Sequence, residues 1–97
     1  MALETCTRSH DGAGGAVESW GVMAEVWAAI RPLAGDEREM GDALGGRVTH
    51  EVWIRHRAGV FAEMRFTASG RTFEIRAVID DGERRRFMKC LCEERNL

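Results

Sequence analysis

From Arg47 the chain alternates between apolar and polar positions. Val48, His50, Val52, Ile54 and His56 interleave with Thr49, Glu51, Trp53, Arg55 and Arg57. A period of two puts the first set on one face of a strand and the second on the other. Ala58-Gly59 then breaks the pattern. Met64 and Phe66 alternate with Glu63, Arg65 and Thr67 up to a Ser69-Gly70 turn. Phe73, Ile75, Ala77 and Ile79 alternate with Thr72, Glu74, Arg76 and Asp80 and end at Asp81-Gly82. Arg85 to Glu93 reads as a last strand or a short helix. Strands joined by short glycine-containing turns predict a mainly β chain, a small antiparallel barrel or sandwich.

The first half is less regular. In Trp20–Ile30, Trp20, Met23, Trp27 and Ile30 form a helical stripe, while Val22, Ala24, Val26, Ala28 and Ile30 also make one face of a strand. Periodicity alone tilts toward helix, and Pro32 ends either element at about Arg31. Ala34 to Gly46 is a polar excursion bounded by glycines. Asp36 followed by Glu39 resembles a capping box, so this long loop can hold a short helix over Glu37–Leu44. Residues 1 to about 18, rich in Gly, Ser, Thr and Asp, read as a flexible N-terminal arm.

At 97 residues the chain predicts one domain over 1–97. A chain of this size buries somewhat under about 70% of its unfolded surface, enough for one core and little for a deep cleft. The net charge of −2 argues against general phosphate-driven nucleic-acid binding. No apolar run approaches the ~20 residues of a membrane span. The N-terminus lacks the order of a secretory signal, so a soluble cytosolic chain without membrane partners is expected. Cys6, Cys90 and Cys92 are an odd set, read as free thiols.

Reactive chemistry finds little support. Asp11–Gly15 lacks the Gly-Lys-Ser/Thr of a phosphate loop. His50 and His56 share a face but sit about 20 Å apart, and Cys90-Leu91-Cys92 is a poor zinc spacing. Ser9, Ser19 and Ser69 lie outside any nucleophile elbow. The expectation is no enzyme, no metal and no cofactor. Glu51, Arg55, Glu63, Arg65, Glu74 and Arg76 interleave opposite charges on outward positions, as cross-strand pairs or as a contact face between subunits. Arg84, Arg85 and Arg86 form a basic run suited to a solvated strand end, an acidic partner or a DNA backbone.

In order along the chain stand Val26-Trp27-Ala28, Arg31-Pro32-Leu33, Gly35, Glu37, Thr49-His50, Ile54-Arg55-His56-Arg57, Gly59-Val60 and Met64-Arg65. Phe73-Glu74-Ile75-Arg76-Ala77-Val78, Asp80, Glu83-Arg84-Arg85-Arg86 and Cys90-Leu91-Cys92-Glu93-Glu94 follow, and Asp11 to Gly15 precedes them all. This series resembles the phage head–tail joining family, the small head-closure or stopper proteins of long-tailed phages, prophages and gene-transfer particles. His56 departs from the pattern, since the family commonly has an aromatic between the two arginines.

The resemblance implies a small β-barrel-like fold in which Trp20–Ile30 is a strand. It implies a ring of copies between the portal or adaptor and the tail terminator or tail-completion protein, around packaged double-stranded DNA bound without sequence specificity. The location would be the virion head–tail interface, after assembly in the host cytoplasm. The connection after Pro32-Leu33 would face the channel, which makes Asp36, Glu37, Arg38, Glu39 and Asp42 the candidate channel loop. Four acids against one arginine would form a collar that repels phosphates. Arg31, Arg55, Arg57, Arg65, Arg76, Arg84 and Arg85 are the candidate subunit or partner interface. A second function class is a small barrel that binds single-stranded nucleic acid or a peptide. Trp53, Arg55 and Arg57 share the face it needs, but Glu51 dilutes it.

Overall fold

Seven antiparallel strands form one sheet in the order β2-β1-β5-β6-β7-β4-β3. They are β1 (Ala2–His10), β2 (Ala16–Glu25), β3 (Ala28–Pro32), β4 (His50–Arg55), β5 (Arg65–Ala68), β6 (Arg71–Asp80) and β7 (Phe87–Arg95). The computed structural model describes residues 1–10, 16–34, 48–80 and 86–95, and none of these is helical. The two edge strands, β2 and β3, are separated in sequence only by Val26-Trp27. The sheet must therefore curl until its edges meet at that corner, where Val26 N–H donates to Met1 O and the Met1 ammonium donates to Val26 O, both at 2.8 Å. No ladder joins β2 to β3, so the barrel is not closed.

Curling puts one sheet face inside. Leu3, Val52, Ile54, Phe66, Phe73, Ile75, Met88, Cys90 and Cys92 fill it, with Val60 and Met64 entering from the β4–β5 connection. Phe66 and Phe73, fully buried and directly opposite each other on β5 and β6, form its centre. The hairpin that pairs them turns on Ser69 (φ 49°) and Gly70 (φ 78°), two left-handed residues as in a type I′ turn.

Two bulges shift the alternation. On β6 the register slips between Ile75 and Ala77, leaving Arg76 as the extra residue. Phe73 and Ile75 face the core, but beyond the bulge Val78 takes over that face. Ala77 moves to the opposite side, against a second small cluster of Leu33, Val48 and Leu91. The expected single face of Phe73, Ile75, Ala77 and Ile79 is thus split, and Ile79 is exposed. On β2 a slip opposite Leu3/Glu4 leaves Met23 as the extra residue, and its side chain is exposed.

Trp20–Ile30 is strand, as the family resemblance implied and periodicity did not, but it is two strands with a break at Val26-Trp27. The final segment is strand throughout Phe87–Arg95. Residues 2–10 and 16–18, expected within a flexible arm, belong to a β-hairpin instead. Fully buried Leu3 and the pairing of Ala2, Leu3 and Glu4 with β5 supply the tertiary contacts that a reading of local composition omits. Past Glu4 the hairpin has no partner strand other than its own two among the described residues.

Candidate functional site

The arginines divide into a paired set and an unpaired set. Arg31 donates from Nη2 to Glu51 at 2.8 Å across the β3–β4 ladder. Glu51 is only 5% exposed and also accepts the Trp53 indole N–H, so it tolerates burial because two donors hold it. Arg65 donates to Glu4 from Nε and lies within 2.8 Å of it through Nη2, while its guanidinium sits 4.0 Å from the centre of the Trp20 ring. Burial pushes the Glu4 carboxyl up, but hydrogen bonds from Thr67 and Arg65 and the Arg65 charge outweigh it, leaving the group below its ordinary value.

Glu74 and Glu93 stand directly opposite each other on β6 and β7, a repulsive placement in a bare ladder. Bulged Arg76 bridges both, and Arg95 reaches Glu74 at 3.4 Å. Arg71 donates to Glu94 at 2.6 Å and covers the Phe73 ring. Of the expected lattice of opposite charges, Glu51, Arg65, Glu74 and Arg76 are in ion pairs with partners of their own, whereas Glu63 sits in a turn at φ 75° and Arg55 has no carboxylate partner among the described residues.

The unpaired set lies at the far end of β4 and the start of β7. Among the described residues no carboxylate pairs with Arg55, Arg57 or Arg86. His56 N–H donates to Arg86 O at 3.0 Å, which ties the two chain segments together. Glu25, Val26, Trp27, Arg55, His56 and Arg57 line a cleft of about 230 Å³ there. Trp27, 58% exposed, leans on half-exposed Phe87 with ring centres 6.0 Å apart. Arg57 Nε is buried without a hydrogen-bond partner, the one such side-chain nitrogen or oxygen among the described residues.

A wider groove of about 810 Å³ runs between the β1–β2 hairpin and β6, where β5 has ended. Trp20, Met23, Phe61 and Met64 are among its apolar walls, and Phe61 is two-thirds exposed.

The stems of the excursion after Pro32 are fixed. Leu33 N–H donates to Thr49 O at 3.0 Å, and Thr49 N–H donates to Cys92 O at 2.9 Å. Leu33 and Val48 pack on Leu91, so the described residues on both sides of 35–47 are anchored to the sheet.

A family model described as phage head completion protein matches residues 2–95. The chain belongs to that family. A solved chain from the virion of a native gene transfer agent (GTA) particle is similar over 99% of this chain and 93% of its own, at 29% identity and a TM-score of 0.70. A comparison with curated proteins finds no match.

For a head completion protein the candidate residues now sort by environment. Arg31, Arg65 and Arg76 are engaged in ion pairs within the chain, whereas Arg55 and Arg57 meet in the cleft. Asp36, Glu37, Arg38, Glu39 and Asp42, with Arg84 and Arg85, lie outside the described residues. Trp53 donates to Glu51 and has Lys89 over its ring at 5.6 Å, a poor stacking platform for a base. Sequence reasoning missed Trp27 and Phe87 as partners; the only signal was an apolar residue in a two-residue link, where a helical stripe had absorbed it.

Proposed function

We propose that the chain is a stopper: a structural head-completion protein that forms a ring between the portal or its adaptor and the tail. In this reading it retains packaged double-stranded DNA and offers the surface to which the tail attaches. Membership in the phage head completion family along nearly the whole chain carries the reading. The likeness to a chain of a gene transfer agent virion supports it.

Two features of the molecule suit the role. Its charged face is organised by long-range ion pairs, which give a small sheet a fixed outer surface for contacts between copies. The residues that flank its acidic segment are fastened to the sheet at Leu33, Val48 and Thr49. Repeated around a ring, Asp36, Glu37, Glu39 and Asp42 would line the channel with charge that repels phosphates, so DNA would pass without being gripped.

Cryo-EM of filled particles tests the placement: density for this chain belongs between the adaptor and the tail, and its absence from particles would sink the proposal. The loop is tested separately by Asp36→Lys, Glu37→Lys, Glu39→Lys and Asp42→Lys combined. Those particles should eject DNA more slowly, and ejection at the native rate would remove the loop from the mechanism.

A further inference from the structure

The corner where the sheet edges meet carries chemistry that the head-completion role does not itself specify. Five described arginines, Arg31, Arg65, Arg71, Arg76 and Arg95, are paired with carboxylates of this chain. Among the arginines whose side chains are described, those without such a partner, Arg55, Arg57 and Arg86, gather at the ends of two neighbouring strands. Arg55 and Phe87 are opposite each other in the β4–β7 ladder, and Phe87 touches Trp27. A guanidinium pair beside an exposed tryptophan is the composition of an interface anchor.

We propose that this cleft docks an acidic protein segment, with a partner carboxylate between Arg55 and Arg57 and an apolar neighbour laid on Trp27 and Phe87. Arg57 offers a planar fork of donors, and its unpartnered Nε would gain an acceptor if the side chain rotated onto a bidentate carboxylate. The cleft favours a peptide over a DNA backbone. It is a small recess of about 230 Å³ in which Val26 and Trp27 stand beside the arginines, and Glu25 in its lining opposes a run of phosphates. The chain's net charge of −2 points the same way. That the partner is a virion neighbour rests on the head-completion reading; the chemistry of the cleft does not.

Photo-crosslinking in assembled particles provides the test, with benzoylphenylalanine in place of Trp27. The expected adduct lies in a segment of a neighbouring protein that carries Asp or Glu beside an apolar residue. Combining Arg55→Glu with Arg57→Glu should cut adduct yield at least about tenfold, while Arg55→Lys with Arg57→Lys, which keeps the charge but loses the planar fork, cuts it by a smaller factor. An adduct to DNA, an adduct in a segment without acids, no adduct, or a yield indifferent to charge reversal would each overturn the inference.

A second arm works on the purified full chain, whether or not it enters particles. A soluble peptide alternating Glu and Leu should shift the Trp27 indole NMR signal in a salt-sensitive way, and the glutamate variants should abolish the shift. No shift at millimolar peptide overturns the inference even if the chain is found in its expected place. Conversely, a chain absent from particles that still shows the shift defeats the head-completion reading alone.

Discussion

Glu4→Gln is the substitution that most sharply tests how the hairpin is held. Only Ala2, Leu3 and Glu4 pair β1 with β5, so the backbone ladder there is short. The Glu4 carboxylate adds hydrogen bonds from Arg65 Nε and Thr67 Oγ1, each at 2.8 Å. Both charged side chains are largely shielded, at 14% exposure for Glu4 and 19% for Arg65. An exposed ion pair is worth at most about 1 kcal/mol, whereas breaking a fully buried one costs at least about 3. This half-shielded site falls between them, so Glu4→Gln should cost about 2 kcal/mol and lower the thermal midpoint by roughly 10 °C.

Urea denaturation of the wild type, Glu4→Gln, Arg65→Gln and the double variant isolates the pair itself. A coupling of about 1–2 kcal/mol is expected. Hydrogen exchange should quicken in β1 more than in β6 or β7, because only the hairpin loses its anchor. The pH dependence has a definite sign. The folded carboxyl titrates below its ordinary 4.5, so its stabilisation is complete above that value and is lost as pH falls through the folded value. The gap between wild type and Glu4→Gln should therefore close in acid. A coupling under about 0.3 kcal/mol, or a gap that stays constant to pH 2, would refute the assignment.

Two further outcomes follow from local geometry. Ser69→Asn should stabilise the β5–β6 hairpin by about 0.5 kcal/mol, since Asn accepts the left-handed φ of 49° more readily, and a measured loss in urea midpoint would contradict the turn. Iodoacetamide at pH 8 should label partly exposed Cys6 at least about a thousandfold faster than Cys90 in the folded protein. Burial pushes the Cys90 thiol up to about 12 and raises that of Cys92 as well, with the neighbouring Cys90 adding to the effect. Comparable labelling of all three, followed by mass spectrometry, would mean that the β7 core opens.

What could be read in the chain tracks the range of the interactions that decide each element. β4 and the hairpin of β5 and β6 were legible because alternation and a Ser-Gly turn are local. The alternation misled at Arg76, where a bulge turns Ala77 outward and brings Val78 in; nothing in the neighbouring residues marks that slip, which serves the glutamates at 74 and 93. The hairpin at the N-terminus was hidden for the same reason, since its anchor joins Glu4 to Arg65 and Thr67, 61 and 63 positions away. Pairing of that reach also separates the arginines. In sequence Arg55 and Arg57 look no different from Arg31 or Arg65, and only the folded sheet reveals which charges already have partners. A surface whose charges are satisfied internally can meet another copy through its fixed shape, but its charges add little, because each new ion pair must first displace an old one. Arginines left unsatisfied next to exposed aromatic rings gain a contact without displacing one. For a small structural protein with no catalytic signature, that difference between spent and unspent charge is the strongest guide to where its neighbours bind.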